Sequence, residues 1–171
     1  MSRRSRAREI VLQILYQHDL NPDQPADVSQ RFIHSRLNYD RSLVAFAESL
    51  ISGVQQHLAV LDERLEATAQ NWKLSRMPAT DRNVLRLGTF EILFTDTPDR
   101  VAINEAIELA KRYGTPNSAQ FVNGILDRLM NHKPDDDQNA SQRIRPQIVV
   151  IDDSNRSDSQ SSAKSPTQSS E

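Results

Sequence analysis

The sequence predicts an all-α fold, a single helical domain followed by an acidic tail. Only four glycines occur in 171 residues, too few for the many tight turns of an all-β protein and too dispersed for a glycine-rich phosphate loop. Apolar residues recur at steps of three and four over residues 1–133, the spacing of one helix face. Cysteine is absent, which excludes disulfides, thiol nucleophiles and thiolate metal sites.

The N-terminal half predicts three or four helices. The first has a single apolar stripe made of Ala7, Ile10, Val11, Ile14 and Leu15. It ends at Asn21-Pro22, because the residue before proline disfavours helical geometry. A shorter helix is expected over 26–37, with Val28, Phe32 and Ile33 facing inward. The pattern from 40 to 70 fits one long helix, or two with a break near Gly53 or His57.

The C-terminal half predicts three more helices. After Pro78, Thr80 is the expected N-cap of a helix that is apolar around nearly its whole circumference to Phe94, which is typical of a buried central helix. A second helix ends before Gly114. The last is expected to begin at Asn117 or Ser118 and to bury Val122, Ile125, Leu126 and Leu129.

The domain is expected to span residues 1–133, and residues 134–171 are predicted to be a disordered tail. The tail is rich in serine and acidic residues and has no aromatic residue, so it buries too little apolar surface to fold. Its apolar run 148–151 is either inert or serves as a docking motif or an added edge strand. No apolar run approaches the roughly 20 residues of a membrane span, so we expect a cytoplasmic protein without a membrane partner.

No catalytic or metal-binding constellation is found. The four histidines are scattered, and no pair has the i, i+4 spacing of a helical zinc site. We therefore expect neither an enzyme nor a cofactor. What remains is a binding function. A flexible basic arm at the N-terminus supplies guanidinium groups for phosphates and unpaired bases, from Arg3, Arg4, Arg6 and Arg8.

Several segments of the chain resemble the NusB family of bacterial transcription antitermination factors. The resemblance covers about residues 3–130. It depends on Arg6-Ala7-Arg8-Glu9, on Asp81-Arg82-Asn83-Val84-Leu85-Arg86 with Glu91, on the run from Val101 to Lys111, and on Phe121-Val122-Asn123-Gly124-Ile125-Leu126-Asp127. It implies about seven helices in two packed bundles.

The resemblance also implies a function and its partners. The implied function is transcription antitermination. The implied partners are boxA-type single-stranded RNA of ribosomal RNA leader transcripts, the ribosomal small-subunit protein NusE in a heterodimer, and RNA polymerase in an antitermination complex with other Nus factors. By the same resemblance the arginine arm binds RNA together with the start of the last helix. The residues expected there are Asn117, Ser118, Gln120 and Phe121. We expect the opening of that helix to lie beside the arm, where its amide groups suit a phosphate.

Four residues of the central helix are expected at the partner interface: Asp81, Arg82, Arg86 and Glu91. Asp81 also suits the positive end of its helix dipole, and both roles are compatible. Glu91 lies on a nearly all-apolar helix and needs an ion pair, internal or at an interface. Arg86 is five residues away, which is not an ideal spacing for that pair.

Other functions stay open at this point. One is a helical RNA-binding domain of the kind fused to ribosomal RNA methyltransferases, although no β/α pattern or glycine-rich cofactor turn follows residue 130. Another is a protein-interaction module that forms a homodimer and hides the arm. The acidic tail is either an inert extension or a competitor of RNA for the arm.

Overall fold

The computed structural model describes residues 2–70 and 72–132, so all the expectations about the tail at 134–171 lie outside the described residues. Within these ranges the chain forms seven α-helices and one 3₁₀ turn, and no strand. The helices are α1 (Arg3–Leu20), α2 (Ala26–Arg36), α3 (Arg41–Gln56), α4 (Leu58–Thr68), α5 (Ala79–Phe94), α6 (Asp99–Tyr113) and α7 (Ser118–Asn131), and the 3₁₀ turn is Leu74–Arg76.

Two bundles share one core, as predicted. Helix α1 packs on α3, with α2 at the side, and the C-terminal group contains α4, α6 and α7. Helix α5 contacts both groups. Every residue from Asn83 to Phe94 on α5 is buried, which explains why this helix is apolar on all sides. The predicted stripe of α1 is also confirmed, because all five of its residues are at most 4% exposed.

The long apolar pattern from 40 to 70 is two helices that meet at His57. This residue ends α3 and precedes α4, and its backbone (φ −104°, ψ 10°) departs from the helix. Its ring lies 4.4 Å from the ring of Phe94 on α5, centroid to centroid, and its Nδ1 lies 2.8 Å from the carbonyl oxygen of Gly53. The bend therefore lets both segments follow the surface of α5.

Two local predictions are wrong. Val28 does not face inward but is 38% exposed, because α2 is a short peripheral helix that buries only Ser29 and Ile33. Thr80 is not the N-cap of α5, since the helix begins at Ala79 and Pro78 occupies the cap position without a side-chain hydrogen bond.

Glycines inside helices have opposite roles in this fold. A methyl group on Gly53 would overlap the ring of Phe90, and one on Gly88 would come within 2.8 Å of Leu126, so both allow close helix packing. At Gly124 no atom lies within 4 Å of the added methyl group, and packing does not explain this glycine.

We expect Gly53→Ala to lower the free energy of unfolding by about 1–3 kcal/mol, because overpacking of the fully buried Phe90 outweighs the gain in helix propensity. The matched control is Gly124→Ala, which adds the same methyl group in open space and should stabilise by about 0.5–1 kcal/mol. Urea unfolding of both variants measures the two effects. Equal changes in stability would contradict this account of the packing.

Membrane-spanning helices and clusters of metal-binding side chains are both absent from residues 2–70 and 72–132. None of the helices in these ranges is long and apolar enough to cross a membrane. The same ranges contain no group of three or more His, Cys, Asp or Glu residues arranged to hold a metal ion.

Candidate nucleic-acid interface

The basic arm is helical. The Ser2 side chain accepts a hydrogen bond from the backbone N–H of Ser5 (3.0 Å) and caps α1, so the helix already begins at Arg3. The expectation of a flexible arm is therefore wrong. The helical start fixes the directions in which Arg3, Arg4 and Arg6 leave the backbone, and all three are exposed.

Each exposed arginine of the arm is held by a neighbouring side chain. Arg3 forms an ion pair with Asp40, the N-cap of α3, and the guanidinium of Arg4 lies 5.1 Å from the centre of the Phe46 ring. Arg6 Nη1 donates to Glu9 Oε2 at 2.7 Å. These contacts use only part of each guanidinium, since the Arg3 and Arg6 side chains remain 75% and 44% exposed. Donors stay available for phosphate.

Arg8, the fourth arginine of the predicted arm, points into the protein. It is 3% exposed and forms a two-pronged pair with Glu91 of α5, with Nε 2.9 Å from Oε2 and Nη2 2.6 Å from Oε1. Burial opposes the charge of Arg8, but the hydrogen bond and charge of Glu91, with Glu105 nearby, outweigh it and raise the pKa of the guanidinium. Because its donors are engaged inside the fold, this geometry does not favour RNA contact by Arg8 and favours a structural role.

Arg112 is a candidate that the sequence did not single out. The Glu9 carboxylate is 2% exposed and takes Arg6 on one oxygen and Arg112, from the last turn of α6, on the other. The Arg112 side chain is still 53% exposed. The sequence shows that Glu9 lies within the basic arm. It does not identify Arg112, 103 residues away, as the second cation that pairs with this carboxylate.

At the start of α7 the predicted residues divide into two groups. Asn117 and Gln120 are exposed, and Asn117 makes no capping hydrogen bond. Ser118 is buried, where its Oγ accepts from the backbone N–H of Thr115 (2.8 Å) and donates to Asp81 Oδ2 (2.9 Å). Ser118 therefore fixes the opening of α7 to the first turn of α5. Its burial leaves no hydroxyl at the surface for RNA.

Phe121 is half-buried at the edge of the α7 stripe, as the sequence predicted. Its ring makes an edge-to-face contact with Trp72, with 5.7 Å between ring centroids. Trp72 itself is 58% exposed. This tryptophan is not among the site residues predicted from the sequence, although a lone tryptophan in a polar segment is a usable signal.

The arm and the opening of α7 are not side by side. Helices α1 and α5 run antiparallel, since Arg8 pairs with Glu91 whereas Asp19 accepts from Asn83 (2.9 Å). Ser118 is bonded to Asp81, so α7 begins level with the C-terminal end of α1. From Ser5 to Asp19 the axis of α1 rises roughly 20 Å. The predicted adjacency is therefore wrong, and one ligand must be extended to reach both sites.

The four residues expected to bind a protein partner form contacts within the chain. Asp81, Arg86 and Glu91 are buried, and Arg82 is partly buried. Arg82 and Arg86 both donate to Asp19, and Arg86 also pairs with Asp62 at 2.7 Å. The ion pair predicted for Glu91 is internal, and its partner is Arg8 rather than Arg86.

Comparison with known proteins identifies the family. Residues 5–131 match the sequence profile of the NusB family. The chain is 50% identical over 133 residues to the transcription antitermination protein NusB of Anaeromyxobacter dehalogenans (strain 2CP-1), covering 78% of this chain and 94% of that one.

Solved structures agree with this match. Among them are T. maritima NusB (40% identity, TM-score 0.68, 78% of this chain and 93% of that one) and a crystal structure of antitermination factors NusB and NusE in complex with double-stranded RNA (25% identity, TM-score 0.68, 77% and 98%). On sequence and fold together, this chain belongs to the NusB family.

Proposed function

We propose that this chain is an RNA-binding transcription antitermination factor. In this proposal it binds boxA of ribosomal RNA leader transcripts as a heterodimer with NusE. Together with other Nus factors it helps RNA polymerase to resist termination on ribosomal RNA operons in the cytoplasm. It contributes binding rather than catalysis. The single observation on which the proposal depends most is the set of exposed arginines that the fold itself holds in place.

The RNA interface proposed here is built from the exposed residues. Arg3, Arg4 and Arg6 bind phosphates at one end of α1, and Arg112 continues the positive surface toward the opening of α7. At that opening Asn117, Gln120 and Phe121 meet the RNA. Arg8 and Ser118 support this surface from inside, because both are buried and bonded within the chain.

The partner site is proposed at the first turn of α5. Asp81 Oδ1 has no hydrogen-bond donor within the described part of the chain, whereas Oδ2 is bound by Ser118. Because this oxygen is buried, a donor from NusE would reach it only after the first turn of α5 shifts. Arg82 and Arg86 stabilise the same end of α5 through Asp19, so their substitution is expected to act on NusE binding through the shape of this surface.

Relatives of this family favour antitermination over a methyltransferase fusion. The matching region covers 94% of the length of an antitermination protein. The resemblance is therefore to nearly the whole of that relative and not to one domain of a longer enzyme.

The proposal is tested with a fluorescently labelled boxA RNA, whose anisotropy is followed during titration with the chain, with and without NusE. We expect tighter, salt-sensitive binding when NusE is present. Arg6→Ala should weaken binding about 5-fold at 0.1 M salt, because one phosphate contact is lost. Phe121→Ala should also weaken it while circular dichroism stays unchanged.

Two results would contradict the proposal. One is the absence of RNA binding under both conditions. The other is a stable homodimer in size-exclusion chromatography that exchanges with neither NusE nor RNA, which would indicate a pure protein-interaction module.

A further inference from the structure

The side chain of Trp72 is only partly used by the fold. It is the sole tryptophan of the chain and lies in the segment between α4 and α5. One side of the indole rests against Phe121, yet 58% of the residue is exposed. Aromatic side chains stabilise a protein most when they are buried. The N–H of a buried indole usually has a hydrogen-bond partner. An indole exposed to this extent is accessible to a ligand.

The charges around Trp72 favour a polyanion. No acidic residue occurs between Glu66 and Asp81, and this stretch contains the exposed cations Lys73 and Arg76. Arg128 donates to the carbonyl oxygen of Thr68 at 3.1 Å and lies two turns after Phe121, on the same face of α7. Exposed aromatic rings among cations are the usual surface for single-stranded nucleic acid.

Trp72 also lies where an RNA bound at the arm would arrive. Phe121 in the first turn of α7 contacts Trp72, and Arg112 lies in the last turn of α6, six residues before α7 begins. An extended strand that runs from the arm past Arg112 reaches the opening of α7 and then the indole.

From these observations we propose that Trp72 stacks on an unpaired base of the bound RNA, with the indole held in place by its edge-to-face contact with Phe121. The inference rests on the proposed function, because it names a further residue of the same RNA site. Stacking needs only the flat face of a base, so Trp72 adds affinity without selecting a base by hydrogen bonds. A protein partner on the same indole is the competing occupant, and the test below separates the two.

The test uses the emission of Trp72 in the full chain, where no other tryptophan contributes. Titration with an unlabelled boxA RNA of about a dozen unpaired nucleotides should quench the emission and protect the indole from acrylamide. The same RNA annealed to its complement should change the emission much less, because its bases are already stacked in the duplex.

Three variants are compared by anisotropy of labelled boxA RNA. Trp72→Leu keeps an apolar side chain without a flat aromatic face and should weaken binding about 5- to 100-fold, whereas Trp72→Phe should stay within about 3-fold of wild type. The salt dependence should not change in either, since no charge is removed. Val60→Ala, which shortens an exposed apolar side chain on α4, is the matched control and should bind normally.

The outcomes separate this inference from the proposed function. If RNA binds and Arg6→Ala weakens it, but Trp72→Leu binds normally and emission is constant, stacking is overturned and the proposed function stands. If the chain binds no RNA, both fail. If emission responds to NusE alone and Trp72→Leu loses NusE rather than RNA, the surface is a protein interface and stacking is wrong. Should Trp72→Leu be misfolded, the emission titration of the wild-type chain and the affinity of Trp72→Phe still test whether Trp72 stacks on RNA.

Discussion

Replacement of Glu91 by alanine is expected to lower the free energy of unfolding by about 3–5 kcal/mol, the largest effect of any substitution considered for this fold. Glu91 is 1% exposed and is bonded through both oxygens to Arg8, which is 3% exposed. Removal of the carboxylate leaves the buried guanidinium with only the more distant Glu105, whose Oε2 lies 3.9 Å from Arg8 Nη1. Urea unfolding followed by circular dichroism measures the loss.

Two comparisons make this result specific. Glu108→Ala removes an exposed carboxylate that pairs with Lys111 and should cost less than about 1 kcal/mol. The double variant Arg8→Met with Glu91→Leu should recover most of the stability, because apolar side chains of similar size need no counter-charge. If Glu91→Ala unfolds within about 1 kcal/mol of wild type, Arg8 has another way to satisfy its charge and the pair is not what fixes α1 to α5.

The second large effect is expected in RNA binding. The double variant Arg4→Ala with Arg6→Ala should weaken boxA binding about 25-fold at 0.1 M salt and reduce the salt slope by about 1.4, because each lost phosphate contact on a single strand removes about 0.7 from that slope. Both guanidinium groups are exposed, and Phe46 and Glu9 hold them at the surface. Anisotropy titrations at several salt concentrations measure both quantities.

A charge-matched control is available elsewhere on the surface. Arg31 on α2 and Arg64 on α4 are exposed and lie outside the proposed interface. Their double replacement by alanine removes the same charge and should change the affinity and the slope far less. Equal losses of affinity in the two double variants would mean that RNA binding depends only on net charge, and that the arm is not a specific RNA-binding site.

The comparison of arginines shows how far the sequence predicted this interface. Arg3, Arg4, Arg6 and Arg8 form one cluster in the sequence, and nothing local distinguishes the fourth from the others. The structure separates them, because Arg8 meets a carboxylate that is 83 residues away on α5. Glu9 shows the same limit, because neither its burial nor its pairing with Arg112 could be predicted from the sequence.

The start of α7 gives a second example. Its sequence identified Phe121 at the edge of an apolar stripe, and the structure confirms that position. The ring that contacts Phe121 belongs to Trp72, 49 positions earlier, in a segment with no periodic pattern from which its place could be predicted. The adjacency of arm and helix opening failed for a related reason: it depends on how α1 and α5 run past each other, which is a property of packing.

By itself the sequence determined that this chain is helical and where most helices begin and end. Spacing, caps and breakers act over a few residues and are readable locally. It also determined that α5 is central and that the cationic N-terminus is the main candidate for binding. Only the tertiary structure decided which charges face water and which neutralise each other inside. The energy of an ion depends on its surroundings in space, and those surroundings come from distant helices.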